Sequence, residues 1–567
     1  MPAPAARPIR SSAAPRMIPS PHRAPLQDFA LTRSFSLAAA FRCMEAWIAL
    51  AILLSACQPS PAGLSTPYAA PVSLPTPYPL QVEAPPFSEP AYPSPNHTLA
   101  ATLAPTAIQP SPTPAEYVYH AQSGDTLAAV AGRFGLDLDE VHSDQPLPRT
   151  ALLAPGQPLT LAGWYPDEPP DAPLLPDSEV VYSPSALDFD IRDFLKESGG
   201  FLAQHREYLR STGWTSAADV VGRVALEYSV NPRLLLALLE YECSCVTGEP
   251  PEGMDVEYLL GVPGYRNKGL YRQLEWAATR LSTGYYAWRS GGLIPLQSEG
   301  GIMSPPFPGL NTGSVALMYY FAEKYASQPD GPQRWQAAVE SEEGLPALHA
   351  RLFGDPWQRD AGVEPLMPAG LEQPLMNLPF EPGVLWSYTS GPHAAWGAEG
   401  ALAALDFAPA VPISGCIQTD AWVVAVADGL VTRSEFGVVA QDIYLDASGT
   451  AQPVPIDGRE QTGWAVVYLH IAERGRVAQG TFLRAGERIG HPSCEGGRAN
   501  GTHLHIARKY NGEWMPAGGP LPFVLGGWTA HAGDASYQGT LTQDGLKVVA
   551  HPYGSYETRI LVPTDSP

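Results

Sequence analysis

Apolar and polar positions follow two different periods along this chain of 567 residues. Between residues 186 and 360 apolar side chains recur at helical spacing, which predicts helices at 217–228, 232–242, 270–288 and 313–325. From about residue 373, apolar and polar residues alternate between glycine and aspartate turns, which predicts an antiparallel sheet. The pattern therefore predicts a multidomain protein with a mostly α middle domain and an antiparallel β-rich C-terminal domain.

A shorter unit of mixed type precedes the helical region. Residues 117–163 start with an alternating run, pass through a turn at Gly124-Asp125 into a helical pattern, and end on a Pro-Gly turn and a second alternating run. Asp125 is expected to cap the helix that follows it. The sequence therefore predicts a small α/β module at residues 116–164.

The beginning of the chain has the pattern of a targeting signal. The apolar run at 46–56 would reach only about 16 Å as a helix, roughly half of a bilayer core, so it is too short for a membrane span. It ends in Leu54-Ser55-Ala56-Cys57, which resembles a bacterial lipobox. The resemblance implies that residues 1–57 are a lipoprotein signal peptide and that lipidated Cys57 anchors the mature protein to the membrane. The alternative is an ordinary signal peptide with a chance cysteine.

A proline-rich linker is predicted at residues 58–115. This segment contains sixteen prolines and neither lysine nor arginine, so it cannot build a ladder of backbone hydrogen bonds. It is expected to favour polyproline II and to act as a spacer, and plain disorder is the alternative.

Charge and cysteine content narrow the possible partners. The formal net charge is −23, which excludes nucleic acid as an expected partner because phosphate binding needs a basic face. The six cysteines form no CxxC pair. Cys243 and Cys245 are separated by one residue and are expected to be free thiols, because a bond between them would be strained.

The module at 116–164 resembles a LysM domain over its whole length. The family binds glycans that contain N-acetylglucosamine, such as peptidoglycan. The resemblance places the sugar groove at the turn around Gly124-Asp125-Thr126 and at the loop near 151–153. Ser143-Asp144-Gln145 departs from the family, which usually has an asparagine there.

The middle domain, residues 186–360, resembles the lysozyme-like fold of lytic transglycosylases. In that family a helix like the predicted 232–242 ends in the acid that protonates the glycosidic oxygen, which points to Glu242 as a glycosidase acid. The family has a serine after this glutamate, whereas this chain has Cys243. The alternative is a structural helical domain in which Glu242 is a surface charge.

The alternating pattern of the C-terminal domain also predicts a metal site. In a strand, residues two apart share a face, so His503 and His505 are expected to face a cleft while Leu504 and Ile506 face the core. Two imidazoles on one face suit a zinc ligand beside a catalytic base.

Further motifs join this pair: Gly391-Pro392-His393, Ala404-Leu405-Asp406, Tyr468-Leu469-His470 and Gly501-Thr502-His503-Leu504-His505. Together they resemble the lysostaphin- and LytM-type zinc metalloendopeptidases over residues 373–530. The resemblance implies that His393, Asp406 and His505 hold Zn²⁺ and that His470 and His503 are catalytic. Twelve residues separate His393 from Asp406, a longer spacing than the family has, and a looped insertion would reconcile the two.

Three smaller predictions complete the C-terminal region. His491, beside Pro492, is expected to be a loop residue and not a ligand. Cys416 and Cys494 are expected to form a disulfide outside the cytoplasm, with two buried thiols as the alternative. Residues 531–567 are predicted to be a C-terminal extension.

The sequence thus predicts a zinc-dependent endopeptidase that hydrolyses the peptide cross-links of peptidoglycan. It is expected outside the cytoplasm, lipid-anchored and reaching the cell wall. One alternative is a wall-binding scaffold or hydrolase regulator without catalysis. Another adds glycan-strand cleavage by the middle domain.

Overall fold

The computed structural model describes residues 116–163, 172–292, 294, 296–298, 301–302, 306–411, 415–444 and 456–564. All of them belong to the compact unit that spans Ala107–Pro567. The predicted signal peptide, the lipidation site Cys57 and the linker at 58–115 lie outside the described residues. Within the described residues, no helix is both long and apolar enough to cross a membrane.

The N-terminal module has the predicted order of strand, helix and strand. Its elements are β1 Glu116–His120, α1 Leu127–Phe134, β2 Val141–His142 and β3 Pro158–Ala162. The strands form an antiparallel sheet in the order β1-β3-β2, and Val130, Leu159 and Leu161 fill its core. The prediction that Asp125 caps α1 is wrong, because the Thr126 hydroxyl accepts the Ala129 N–H. Asp125 is instead buried against Arg133, 2.6 Å away.

Helices build the region that follows, here called the helical body (residues 172–368). Its helices are α2 Ile191–Ser198, α3 Ala217–Tyr228, α4 Pro232–Cys243, α5 Leu270–Arg289, α6 Thr312–Tyr325, α7 Gly331–Glu340, α8 Leu345–Phe353 and α9 Pro356–Asp360. Two hairpins accompany them, β4 Arg206–Leu209 with β5 Gly213–Ser216 and β6 Gln297–Ser298 with β7 Gly301–Ile302. Local signals set the helix ends: Ser216 caps α3, and Asn231 with Pro232 starts α4. All four predicted helices are therefore present, with ends within one residue of the prediction.

The C-terminal region is antiparallel and β-rich, as predicted. Its first strands are β8 Leu385–Ala394, β9 Leu402–Pro409, β10 Val423–Val424, β11 Gly429–Glu435, β12 Gly437–Ile443, β13 Trp464–Ile471, β14 Phe482–Leu483 and β15 Arg488–Gly490. The remaining strands are β16 Leu504–Tyr510, β17 Glu513–Trp514, β18 Val524–Leu525, β19 Trp528–Ala532, β20 Gly539–Gln543, β21 Leu546–Val549 and β22 Arg559–Leu561.

The main sheet has nine strands in the order β14-β11-β12-β13-β16-β9-β8-β22, with β17 paired to β16. A second sheet has the order β18-β19-β20-β21. Because β22 pairs with β8, the segment 531–567 completes the main sheet. The predicted C-terminal extension thus contributes an edge strand to this sheet.

The two faces of the main sheet pack against different partners. Ala404, Val467 and Ala507 lie on one face, in the same apolar cluster as the helices of the helical body. Their neighbours Leu405, Val466 and Ile506 point to the other face, into a second cluster with the residues of the smaller sheet. The helical body and the main sheet therefore share one core, although the sequence predicts them as separate domains.

A buried arginine joins all three regions. Arg289, at the end of α5, donates to the Ser123 carbonyl of the N-terminal module at 2.5 Å. It is also paired with Glu513 of β17 at 2.8 Å and with Asp177 of the helical body at 3.0 Å. One guanidinium thus holds together the regions that the sequence treats as three domains.

Two disulfides are present among the described residues. Cys416 and Cys494 are bonded to each other, as the sequence predicts. Cys243 and Cys245 are also bonded to each other, so the prediction of two free thiols is wrong. Ser244 between them caps α4 in the left-handed conformation, with φ 51°, and the turn brings the two Cα atoms to 5.1 Å.

Candidate metal centre

Three adjacent strands bring the predicted ligands together. β9 pairs with β16 so that Asp406 lies directly opposite His505, and His393 follows on β8, on the other side of β9. All three side chains are buried. Ligands from positions far apart in sequence therefore meet because their strands are neighbours in the sheet.

The three candidate ligand atoms converge on one point. His393 Nε2 lies 3.1 Å from His505 Nδ1, and Asp406 Oδ1 lies 3.3 Å from the first and 3.2 Å from the second. Atoms that each coordinate a tetrahedral zinc at about 2.0–2.1 Å lie about 3.3 Å from one another. The spacing of the triad therefore fits one zinc ion.

The protonation of the rings supports the same fit. His393 Nδ1 lies 2.9 Å from the Gly391 carbonyl and His505 Nε2 lies 3.0 Å from the Ala395 carbonyl. Carbonyl oxygens only accept, so these nitrogens carry hydrogens, and the opposite nitrogens, His393 Nε2 and His505 Nδ1, face inward. Asp406 Oδ1 faces the same point. Two nitrogens and one carboxylate oxygen that face one point suit a cation between them.

The carboxylate dominates the electrostatics of this point. Burial raises the pKa of Asp406, but His393 and His505 outweigh it and hold that pKa well below its usual range. Burial lowers the pKa of His393, and the Asp406 carboxylate reverses this and raises it above its usual value. The centre therefore keeps a buried negative charge that attracts a cation.

The two predicted catalytic histidines stand beside the triad. The rings of His470 and His503 are 4.5 Å apart, and His470 is 6.1 Å from the ring of His505. Each places Nδ1 on a backbone carbonyl, His470 on Glu495 at 2.9 Å and His503 on Gly501 at 2.7 Å. Burial, followed by the neighbouring His503 and His505, lowers the pKa of His470 to about 3. His470 is therefore a neutral ring at neutral pH.

The backbone conformation around His470 and His503 sets the direction of their rings. His470 is the next-to-last residue of β13 and has φ 66°, a left-handed value that is uncommon for a residue with a side chain. His503 lies just before β16, where an isolated bridge to Ser493 holds it. The structure thus brings all five predicted residues into one cluster.

His491 lies outside this cluster. Its ring packs on Trp422 with centroids 3.8 Å apart, and its Nδ1 lies 2.8 Å from the Ala421 carbonyl. The group of described residues that could hold a metal ion consists of His393, Asp406 and His505. The position of His491 outside this group agrees with the prediction that it is a loop residue and not a ligand.

One neighbour of the centre was missed by the sequence. The ring of Tyr537 stacks on His393 with centroids 4.6 Å apart, and its backbone bonds to Gly391 and Pro392. Tyr537 lies in the predicted extension 531–567, so only the pairing of distant strands brings it here. Nothing local in the sequence marks it.

Glu242 lies in the helical body near the end of α4. Lys324 of α6 is 2.9 Å from its carboxylate, and burial raises the pKa of Glu242 against the opposing effect of Lys324. Its carboxylate is thus part of a buried ion pair with α6.

The predicted sugar groove of the N-terminal module is an internal contact. Ser123, Asp125 and Leu153 are buried, and a Cβ at Gly124 would overlap Arg289 of the helical body. Ser123 also accepts the Met367 N–H at 2.7 Å. The turn expected to face a glycan therefore faces the helical body.

One family model and two known proteins resemble parts of this chain. A family model described as "LasA, N-terminal domain" matches residues 173–368, which is the helical body. The chain is 25% identical over 395 residues to Protease LasA of Pseudomonas aeruginosa, with 64% of this chain and 79% of that protein covered. Protease LasA of a second strain is 25% identical over 390 residues, with the same shares covered.

Solved structures give shorter likenesses. The deep-sea metalloprotease pseudoalterin is 22% identical with a TM-score of 0.25, covering 32% of this chain and 96% of that chain. A zinc-containing peptidase from Vibrio cholerae is 17% identical with a TM-score of 0.17, covering 27% of this chain and 41% of that chain.

Proposed function

We propose that this chain is a zinc-dependent endopeptidase that hydrolyses the peptide cross-links of bacterial peptidoglycan. The relatives named Protease LasA support the predicted enzyme class, a peptidase. The observation that carries the proposal is the convergence of His393, Asp406 and His505 on one point, with two further histidines beside it. A zinc ion held there would leave one coordination position open for water or substrate.

The residues of the centre divide into two roles. His393 through Nε2, His505 through Nδ1 and Asp406 through Oδ1 would hold the zinc ion. Zinc in such a ligand set supplies Lewis-acid polarisation of a peptide carbonyl and of an attacking water. His470 and His503 keep their Nε2 atoms free of the backbone carbonyls that fix Nδ1. These atoms can take a proton from the water, return it to the leaving amine and stabilise the developing oxyanion.

Peptidoglycan as the substrate rests on the sequence. The LysM resemblance at 116–164 and the lipobox ending at Cys57 favour a lipid-anchored protein outside the cytoplasm, within reach of the cell wall. Because the turn at Gly124 packs on the helical body, wall targeting by this module would need a different surface of it. The net charge of −23 argues against nucleic acid as a partner.

The alternatives have less support. A regulator without catalysis has no need for five histidine and aspartate side chains in one cluster, and the ligand spacing fits zinc. Glycan cleavage would use Glu242 as an acid, but its carboxylate is largely buried and paired with Lys324 of α6 at 2.9 Å.

Two variants separate the ligand role from the catalytic role. Wild-type protein should hold about one zinc per chain and should cleave wall peptides. His505→Ala should lose both the zinc and the activity, because it removes a ligand. His503→Ala should keep the zinc and lose about 10²–10⁴-fold in kcat, because it removes a proton-transfer group.

His491→Ala is the matched control, since His491 lies outside the cluster, and it should keep both properties. Zinc content by elemental analysis and release of amino groups from purified wall are the two measurements. Wild-type protein without stoichiometric zinc, or full activity in His505→Ala, would falsify the proposal.

A further inference from the structure

The segment 395–401, here called the ligand link, joins β8 to β9 and therefore connects the strands of His393 and Asp406. It is the inserted stretch that makes the spacing between these residues unusual. In the structure it lies on α3 and α5 of the helical body. Its contacts show what the insertion does.

The backbone of the ligand link approaches the helices closely. A Cβ at Gly400 would overlap the Ser282 hydroxyl of α5, and a Cβ at Gly397 would lie 3.0 Å from the Tyr228 hydroxyl of α3. Both glycines have positive φ, 109° and 73°, which side chains with a Cβ rarely adopt. The link therefore fits onto the helices in a shape that only glycine allows.

Side chains add to this contact. Glu399 of the link is paired with Arg280 of α5 at 2.5 Å. Ala395 and Ala401 are buried in the same apolar cluster as the helices, and Trp396 packs against that cluster. The link is thus part of the core that the helical body and the sheet share.

The ligand link also contacts the metal centre. The Ala395 carbonyl, at the start of the link, accepts His505 Nε2 at 3.0 Å. The Ala395 N–H donates to the Ala401 carbonyl at 2.8 Å, which closes the link on itself. The position of this carbonyl, and with it the orientation of the His505 ring, follows from how the link sits on the helices.

We propose that the helical body is a positioning part of the metal centre. Through the ligand link it fixes the Ala395 carbonyl, which orients His505 for zinc. Ser282, Glu399 and Arg280 are positioning residues, and loosening their contacts weakens zinc binding without removing a ligand. This inference rests on the proposed function, because it requires that the triad binds zinc.

Two contacts of the ligand link determine how much zinc affinity should be lost. Partners that orient metal ligands typically contribute 10–100-fold to metal affinity. The pair of Glu399 and Arg280 is partly exposed, so its loss should weaken zinc affinity only about two- to fivefold. A change at Ser282 should lower zinc affinity more, because a larger side chain there displaces the whole link.

The test uses the full chain with Ser282→Leu, and Ser198→Leu as the matched control. Ser198 ends α2, where its hydroxyl bonds to Phe194 within the same helix, and it makes no described contact with the link. Zinc affinity is measured by competition with a chromophoric chelator, and folding of the zinc-free proteins by urea unfolding. Ser282→Leu should weaken zinc binding about 10–100-fold, and Ser198→Leu should leave it unchanged.

A second readout separates positioning from general damage. Saturating zinc should restore kcat of Ser282→Leu to within a few-fold of wild type, because all ligands and catalytic histidines remain. If Ser282→Leu does not fold, the partly exposed variant Glu399→Ala gives the answer, with an expected loss of about two- to fivefold in zinc affinity.

Wild-type zinc affinity in a folded Ser282→Leu protein, or in Glu399→Ala where Ser282→Leu fails to fold, would overturn the inference and leave the proposed function standing. A wild-type protein that binds no zinc would instead remove the proposed function.

Discussion

At the scale of single residues, backbone carbonyls decide how the histidines of the centre face. Each of the four rings has one nitrogen on a carbonyl, from Gly391, Ala395, Glu495 or Gly501. The opposite nitrogen is then free and points toward the cluster, by Nε2 in His393 and by Nδ1 in His505. The sequence identifies the histidines, but the backbone carbonyls around them decide which ring nitrogen faces the cluster.

A residue outside the centre gives a pH-dependent prediction. His349 of α8 is fully buried, and burial, then Arg359 and Arg233, lowers its pKa to about 3. Glu179 lies 3.4 Å away but is already paired with Arg359 at 2.9 Å. His349 is therefore neutral in the folded protein.

The unfolded chain protonates a histidine near pH 6.5, so it binds more protons than the folded protein between pH 6.5 and about 3. Folding stability is therefore complete above pH 6.5 and falls as the pH drops through this window. His349→Leu should flatten the fall by up to about 1.4 kcal/mol per pH unit. Urea unfolding at pH 7, 6 and 5 measures it, with the exposed His142→Gln as control. An unchanged pH slope in His349→Leu would contradict the assignment.

At the scale of elements, helix ends depend on neighbouring residues, whereas strand pairing depends on residues that are distant in sequence. Helices α3 and α4 match their predicted bounds because caps such as Ser216 and Asn231 lie next to the residues they cap. The apolar run at 421–431 contains two strands, β10 and the start of β11, which pair with different partners. Pairing partners are distant in sequence, so a local pattern cannot choose them.

The Cys416–Cys494 disulfide tests one such distant connection. It closes a loop with a sequence separation of 78 residues, and it joins the two loops that precede β10 and β16. Thr502, next to His503, bonds to Ile417 in the first of these loops at 2.6 Å. The double variant Cys416→Ser/Cys494→Ser should lose about 2–4 kcal/mol of unfolding free energy.

Urea unfolding with and without reductant measures this loss. Reductant should destabilise the wild type to a similar extent and should have a much smaller effect on the double variant, since Cys243 and Cys245 are only two positions apart. Equal sensitivity of both proteins would contradict the assignment.

At the scale of the whole molecule, regions predicted as separate domains form one body. Arg289 contacts the N-terminal module, the helical body and β17 at once. Its removal leaves the buried Glu513 and Asp177 without their cation, and an unpaired buried charge is costly. The predicted modules follow one another along the chain, but Arg289 connects all three, and the helical body shares an apolar core with the main sheet.

Arg289→Met should therefore lower the unfolding free energy by about 3–5 kcal/mol. Arg149→Met is the control, because Arg149 forms an exposed pair with Asp139 within the N-terminal module and should leave stability within error. Urea unfolding followed by tryptophan fluorescence and by far-UV circular dichroism measures both. A loss below about 1 kcal/mol for Arg289→Met would mean that the junction is not an essential connection.

The sequence by itself determined the elements and the five chemical side chains of the centre. Helix periodicity and caps are local, and His393, Asp406, His470, His503 and His505 stand in recognisable motifs. Only the tertiary structure decided that Tyr537 stacks on His393, that Cys243 bonds to Cys245, and that the turn at Gly124 faces Arg289. It also decided that the long spacing before Asp406 is a link seated on α3 and α5. These contacts join residues far apart in the chain, or depend on one backbone torsion, so no local pattern encodes them.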